Sequence, residues 1–357
     1  MKNNYFPALT SIRAVGAYMI YIVHTDPLRE EKYGKPLYDF LEEFQVSLAI
    51  FFVLSGFLIT YNYFDIPKLN LKTYFVNRFA RIFPIYFLLT TVTFLFFAFT
   101  KNQNSISDFW IYLSNITFIR GFSNTYNLTG LGQGWTLTVE ETFYVLAPLI
   151  FLTIKKNKIY GFILPLAFFL TGLLLVFIFK DIDFYGFMNN NQFMIELTFF
   201  GRCCEFFVGI GLAIFVKQHQ KKFQFKHFTY FGIMAIGLCI YWISTLKGTT
   251  NSGMNTHLGL FINTLVLPVF GIAPLFYGLI TERTFVSKTL ETSIFQLLGK
   301  SSYVFYLIHL SFVATFLYNS ISNYIINFLI LNAIAIALYL LIEKPMAIYL
   351  KKLLVKP

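Results

Sequence analysis

The chain carries about ten long apolar runs, near residues 8–26, 44–63, 82–100, 135–154, 159–180, 199–216, 227–245, 258–281, 303–320 and 323–342. Each has roughly the 17 to 25 residues that a helix needs to cross a hydrocarbon core. A backbone in lipid must satisfy its own hydrogen bonds, which leaves helices or closed barrels. Runs that are continuous rather than alternating select helices. Composition agrees, with 57% hydrophobic and only 13% charged residues, about half the charged share of an ordinary soluble domain. The expected fold is all-α: a polytopic integral membrane protein of about ten transmembrane helices.

The distribution of Lys and Arg sets the expected orientation. Nineteen of the 28 fall in one set of loops and termini, seven in the other, and Arg13 and Arg202 lie inside helices. Short loops rich in Lys and Arg stay in the cytoplasm, so both termini are expected there. The net charge of +11 then follows from loop asymmetry and gives no reason to expect a nucleic-acid partner. The first apolar run is interrupted by Arg13 and has no small-residue cleavage pattern, so it reads as a retained helix rather than a signal peptide. Cys203, Cys204 and Cys239 fall within spans, which argues against structural disulfides and a metal site. The longest non-spanning stretch, 101–134, is short for an independent core and contains its own amphipathic piece, SDFWIYLSNITFI. One membrane domain, 1–357, with no appended extracytoplasmic domain, is expected.

Ionisable residues inside spans cost about 2.5–3.5 kcal/mol each on insertion scales, so each requires a reason. In RAVGAYMIYIVH, Arg13 and His24 are 11 residues apart, close to three helical turns. They share a face, roughly 16 Å apart along the axis. Snorkelling and interfacial placement would explain either alone; together they suggest stations on one interior path. In GWTLTVEETFYVLAP, Glu140 and Glu141 open a span on the expected outer side, at about the depth of His24. A carboxylate beside a histidine makes a general-base pair, with Glu140 slightly favoured. The alternative is pairing of one Glu with a cation such as Arg202. In NRFARIFPIYF, Arg78 and Arg81 lie three apart just before a span, on the expected cytoplasmic side. Their guanidinium forks suit phosphate oxygens, although positive-inside bias alone would also place them there.

Other polar positions are weaker signals. Ser55 and Gly56 in FFVLSGFLI suit close helix packing. Arg202 and Glu205 in GRCCEFFVG could satisfy each other. In GKSSYVFYLIH, Tyr303, Tyr306 and His309 share a face near the expected cytoplasmic end of span nine, where they could line a ligand entrance or form an aromatic belt. Glu343-Lys344-Pro345 closes the last span.

Taken in order, Phe6-Pro7-Ala8-Leu9, Arg13 with His24, FFVLSGFLI, Arg78 with Arg81, GWTLTVEETFY, RCCEFFVG, GKSSYVFYLIH and Glu343-Lys344-Pro345 resemble the membrane acyltransferase family 3, integral-membrane O-acyltransferases. The resemblance spans nearly the whole chain. It implies a cytoplasmic acyl-CoA donor, most simply acetyl-CoA, with no bound cofactor. It also implies a hydroxyl acceptor outside: a glycan, lipid-linked sugar or related molecule, handled at a bacterial plasma membrane among lipids. His24 matches the family's essential histidine, Arg13 its partner arginine, and Arg78 and Arg81 the pair near the donor. Two departures stand out: Leu-Ile-His-Leu surrounds His309 where many relatives have Trp before or Pro after, and the chain ends soon after span ten without a hydrolase-like domain.

The layout then suggests CoA phosphates near Arg78 and Arg81, a pantetheine arm along Arg13, and a thioester at His24. His24, aided by Glu140 or Glu141, would deprotonate the acceptor hydroxyl; an acyl-histidine intermediate is the rival. Trp135 and the backbone at Gly134 are candidate oxyanion donors, with Ser55, Tyr303, Tyr306 and His309 as candidate lining. From another class, a glycan or lipid transporter or flippase would use the same ionisable residues. No matching Gly- or Pro-broken helices in two halves support it.

Overall fold

The computed structural model describes residues 5–25, 34–99, 109–182, 184–219, 227–248 and 252–355. Lys2, Arg29, Lys32, Lys101, Lys221, Lys222, Lys226 and Lys356, which enter the loop-charge count, lie outside the described residues. Regular structure among the described residues is helical, apart from one isolated bridge between Ser123 and Phe187. In chain order the helices are α1 (Pro7–Thr25), α2 (Lys35–Glu42), α3 (Ser47–Tyr63), α4 (Leu71–Phe99), α5 (Phe109–Ile116), α6 (Trp135–Lys156), α7 (Tyr160–Phe179) and α8 (Asn191–Leu197). There follow α9 (Phe199–His219), α10 (Phe228–Thr245), α11 (His257–Thr281), α12 (Phe285–Leu290), α13 (Ser293–Ile308), α14 (Phe312–Ser320) and α15 (Tyr324–Leu354).

Among the described residues, eight helical stretches are long and apolar enough to cross a membrane. A ninth is added if α13 and α14, bent by 84° at their junction, count as one span. Among the described residues the fold is therefore all-α with eight or nine spanning candidates. Of the ten expected spans, α1 forms where expected, its apolar character diluted by Arg13 and His24. α7 has only 11% of its apolar window buried in protein, so most of its surface is left for lipid.

Two boundaries move with consequences. α4 starts at Leu71, not near residue 82: the Asn70 side chain accepts the Thr73 amide at 3.0 Å as a cap, and no Gly or Pro interrupts LKTYFVNRFARIF. Arg78 and Arg81 thus sit inside a helix instead of preceding one. Likewise α13 begins at Ser293, so Tyr306 and His309 stand at its far end and not near its start. The expected straight span 303–320 is broken there.

The described residues cluster into two compact units, each discontinuous in sequence. The first holds Met1–Asp65 and Cys204–Ser302, the second Ile66–Cys203 and Tyr303–Pro357. In the first, α1 packs on α3, α11 and α12. Ser47 donates to the Gly16 carbonyl at 3.1 Å and Ser11 to the Leu290 carbonyl at 2.6 Å. Phe6 meets Tyr61 edge-on at 4.9 Å. A Cβ at Gly56 would run into the Phe206 carbonyl and one at Gly209 into the Val53 carbonyl, so α3 and α9 touch backbone to backbone, as small residues permit.

One end of this unit is tied by charge. Buried Glu43 accepts from Ser252 Oγ at 2.7 Å and from the Gly253 amide at 2.6 Å. Lys247, just past α10, bridges Asp39 at 2.8 Å and Glu42 at 2.5 Å. Burial works against its charge, yet hydrogen bonds and attraction to those two carboxylates hold Lys247 well above the ordinary lysine range.

In the second unit, prolines inside helices leave carbonyls to be satisfied from neighbours. Pro148 has no N–H to offer Tyr144, four residues earlier, and Tyr74 Oη donates to that carbonyl at 2.9 Å. The segment between α5 and α6 folds around Arg120, which is 1% exposed. Its guanidinium donates to the Thr129 carbonyl and, at 2.5 Å, to the Leu131 carbonyl. Burial draws the Arg120 pKa down, partly offset by Tyr86. A Cβ at Gly134 would collide with the same guanidinium, which explains glycine directly before α6.

Candidate functional site

In the first unit, α1 presents two of the expected residues. Arg13 is half-buried in mid-helix and His24 is exposed one residue before the helix ends. As 11 residues separate them in one continuous helix, the expected common face and roughly 16 Å spacing follow from regular geometry. Ser55 is buried in α3 beside Gly56, in the close α3–α9 seam.

The second unit gathers the remaining candidates. Glu140 and Glu141 occupy the second turn of α6, both half-buried. Tyr144, one turn on, donates to Glu140 at 3.4 Å. Arg78 lies over the Tyr144 ring, 5.9 Å from its centroid, and within Coulombic reach of Glu141. Sequence spacing had put Arg78 and the glutamates at opposite ends of the membrane. The early start of α4 brings Arg78 to the level of the pair, so its charge serves the carboxylates as well as any phosphate. Arg202, the cation weighed as a partner for them, is buried and donates to the Glu196 carbonyl at 3.5 Å.

Tyr303 also feels Glu140, Glu141, Tyr86 and Glu343, and its hydroxyl donates to the Ile82 carbonyl at 3.1 Å. Nearby, the break after α13 is built from polar groups. The last carbonyls of any helix lack intrahelical donors. Here Gln133 Nε2 donates to the Tyr306 and Leu307 carbonyls at 2.8 and 2.7 Å. Tyr306 Oη donates to the Gln133 carbonyl at 3.2 Å and pairs with Thr136 Oγ1 at 3.0 Å. Trp135, buried, follows in the first turn of α6.

His309 is 0% exposed and its Nδ1 is 2.7 Å from the Tyr306 carbonyl. A carbonyl only accepts, so that bond places a proton on Nδ1. Tyr306 and His309 therefore hold the helix break in shape, a role that neither the entrance nor the belt reading anticipated. Sequence reasoning missed Gln133 and Arg120 as organisers of this region. The available signal was GLGQGW, where a polar side chain between glycines precedes a buried Trp.

Arg81, one turn after Arg78 on α4, is half-buried. The C-terminal part of α15, Lys344–Leu354, packs along α4. It brings Lys351 within Coulombic reach of both arginines.

Against known proteins, the family model described as "Acyltransferase domain" (Acyl_transf_3) matches residues 6–344. The chain is 25% identical to "Putative O-acetyltransferase SACOL0978" of Staphylococcus aureus (strain COL), over 88% of this chain and 51% of the relative. It is 25% identical to "Peptidoglycan O-acetyltransferase OatA" of Listeria monocytogenes serovar 1/2a, over 44% of this chain and 26% of that protein. With "O-acetyltransferase OatA" of Staphylococcus aureus (strain NCTC 8325) it shares 26% identity over 41% and 24%. The chain spans about half the length of the first of these. No solved structure matches it.

Proposed function

Because this chain belongs to the Acyl_transf_3 acyltransferase family, we propose that it moves an acetyl group from cytoplasmic acetyl-CoA to a hydroxyl of an extracytoplasmic glycan or glycolipid at a bacterial plasma membrane. The names of the matched relatives, O-acetyltransferases and in one case a peptidoglycan O-acetyltransferase, support an oxygen acceptor. The observation that carries the reading is α1: one helix with a half-buried arginine and, three turns on, an exposed histidine at its end.

His24 acts as general base. Its imidazole takes the proton of the acceptor hydroxyl as that oxygen attacks the thioester carbonyl. The C–O bond forms, the C–S bond breaks, and CoA departs as a thiolate, which a thiol pKa near 8.5 makes easy. Arg78 and Arg81 hold donor phosphates, and the Glu140–Glu141 pair supplies a second ionisable group required for turnover. Purified protein in proteoliposomes given labelled acetyl-CoA and a soluble glycan acceptor provides the test. The proposal expects free CoA thiol and acetylated glycan in equal amounts. Acceptor movement across the bilayer with no thiol release would replace it with a transporter.

A further inference from the structure

Two stretches of the second unit, one before α6 and one after α7, are tied together by a single hydroxyl. Ser123 Oγ accepts the Tyr126 amide at 3.1 Å and donates to the Tyr185 carbonyl. The Asn124 amide donates to the Gly186 carbonyl at 2.9 Å and the Met188 amide to the Phe122 carbonyl at 3.2 Å. Beneath them Met188, fully buried, packs with Val176, Phe193 and Met194. These ties hold a left-handed backbone, with φ of 53° at Tyr185, 69° at Gly186 and 45° at Met188. A residue with a Cβ keeps that conformation only when its surroundings impose it. Glycine at 185 would relieve the strain, yet the chain carries a tyrosine there that is 65% exposed. The Tyr126 ring lies 6.1 Å from it, inclined by 34°. Phe184 supports Tyr185 edge-on at 5.7 Å.

The chemistry around this ring pair selects a ligand class. No Lys or Arg occurs in 121–134 or 181–201, where the charges are Asp181, Asp183 and Glu196. A phosphate or other anion therefore finds no cation in these stretches. Asn124 and Thr125, both exposed, stand beside Gly186, and amides and hydroxyls both donate and accept. A sugar ring matches both features: its C–H face lies flat on an aromatic ring, and its hydroxyl edge pairs with neutral polar groups. Both stretches fall on the expected extracytoplasmic side. An interfacial belt needs rings only at a given depth, without a strained backbone fixed from a second loop. Resting on the glycan-acceptor reading above, we propose that Tyr126 and Tyr185 form a stacking platform for an uncharged sugar ring of the acceptor glycan, bordered by Asn124 and Thr125.

The test measures binding of a neutral N-acetylglucosamine hexasaccharide to full-length protein in phosphatidylcholine nanodiscs, with no acetyl donor present. Tyr185→Ala should weaken binding roughly three- to tenfold, the loss of one stacked ring. Tyr185→Phe should keep most of the affinity, and Tyr185→Leu, apolar but without a flat ring, should behave as Ala does. Equal affinity of the Ala variant and the parent would overturn the proposal. Recovery by Leu would overturn it too, making residue 185 an apolar anchor, as would failure of the parent to bind the hexasaccharide. In each of these cases, free CoA thiol and acetylated glycan formed by the parent would leave the acetyl-transfer reading standing. Binding that follows the ring without thiol release would keep the platform and remove the transferase.

Discussion

A single side chain organises the stretch between α5 and α6. Arg120 is removed from water and its guanidinium is spent on the backbone carbonyls of Thr129 and Leu131. Replacing it with methionine would keep the bulk and orphan both carbonyls, each costing about 1–3 kcal/mol when buried without a donor. Arg120→Met should therefore lower stability by about 2–4 kcal/mol, read as an earlier thermal transition in detergent. An unchanged transition would show that water serves those carbonyls equally well. From sequence Arg120 was only one more loop cation. Its burial depends on carbonyls nine and eleven residues away, which no periodicity announces. Arg13 and His24 were legible because helix geometry alone relates them. The neighbourhood of Arg78 was not, because it turned on a helix start hidden among polar residues.

At the scale of elements, the break between α13 and α14 is held by groups from the start of α6. Gln133 spans two terminal carbonyls of α13. Gln133→Leu should cost about 1–3 kcal/mol and loosen the break, visible as faster hydrogen exchange of amides in 309–313; exchange at the parent rate would contradict this. The junction of α10 with α2 has a different basis, the bridge from Lys247 to Asp39 and Glu42. The folded pKa of Lys247 is raised above an unfolded value near 10.4. Its contribution is thus fully present below about pH 10 and lost only as pH rises through the folded value. Lys247→Met should lower stability by about 1 kcal/mol, by the same amount at pH 7 and pH 9. A penalty that vanished by pH 9 would refute the ion-pair account. Element positions were mostly readable from hydropathy: each of the ten expected runs falls on a helix among the described residues, while the short helices α2, α5, α8 and α12 lie outside those runs. What hydropathy does not register is capping, as at Asn70, or a bend built from side chains, as at Leu310.

For the molecule as a whole, the two units divide the chemistry expected of it. The first carries Arg13 and His24, the second the cations of α4 and the carboxylates of α6. A donor-binding role for α4 predicts a kinetic separation. Arg81→Ala should raise KM for acetyl-CoA roughly tenfold with kcat nearly unchanged, in steady-state assays with saturating acceptor. A fall in kcat at constant KM would move Arg81 from binding to chemistry. The all-α membrane fold could be read from composition and run length. The division into two interleaved units could not, since it depends on contacts among residues more than a hundred positions apart.

The proposed reaction acylates the acceptor oxygen through His24. Its most direct test is mass spectrometry of surface-glycan esters in cells that have the protein, lack it, or carry His24→Ala at matched membrane levels. Loss of the acetyl ester in both the deletion and the substitution is the predicted result. Full acetylation with His24→Ala would contradict the account and leave His24 a structural residue at the end of α1.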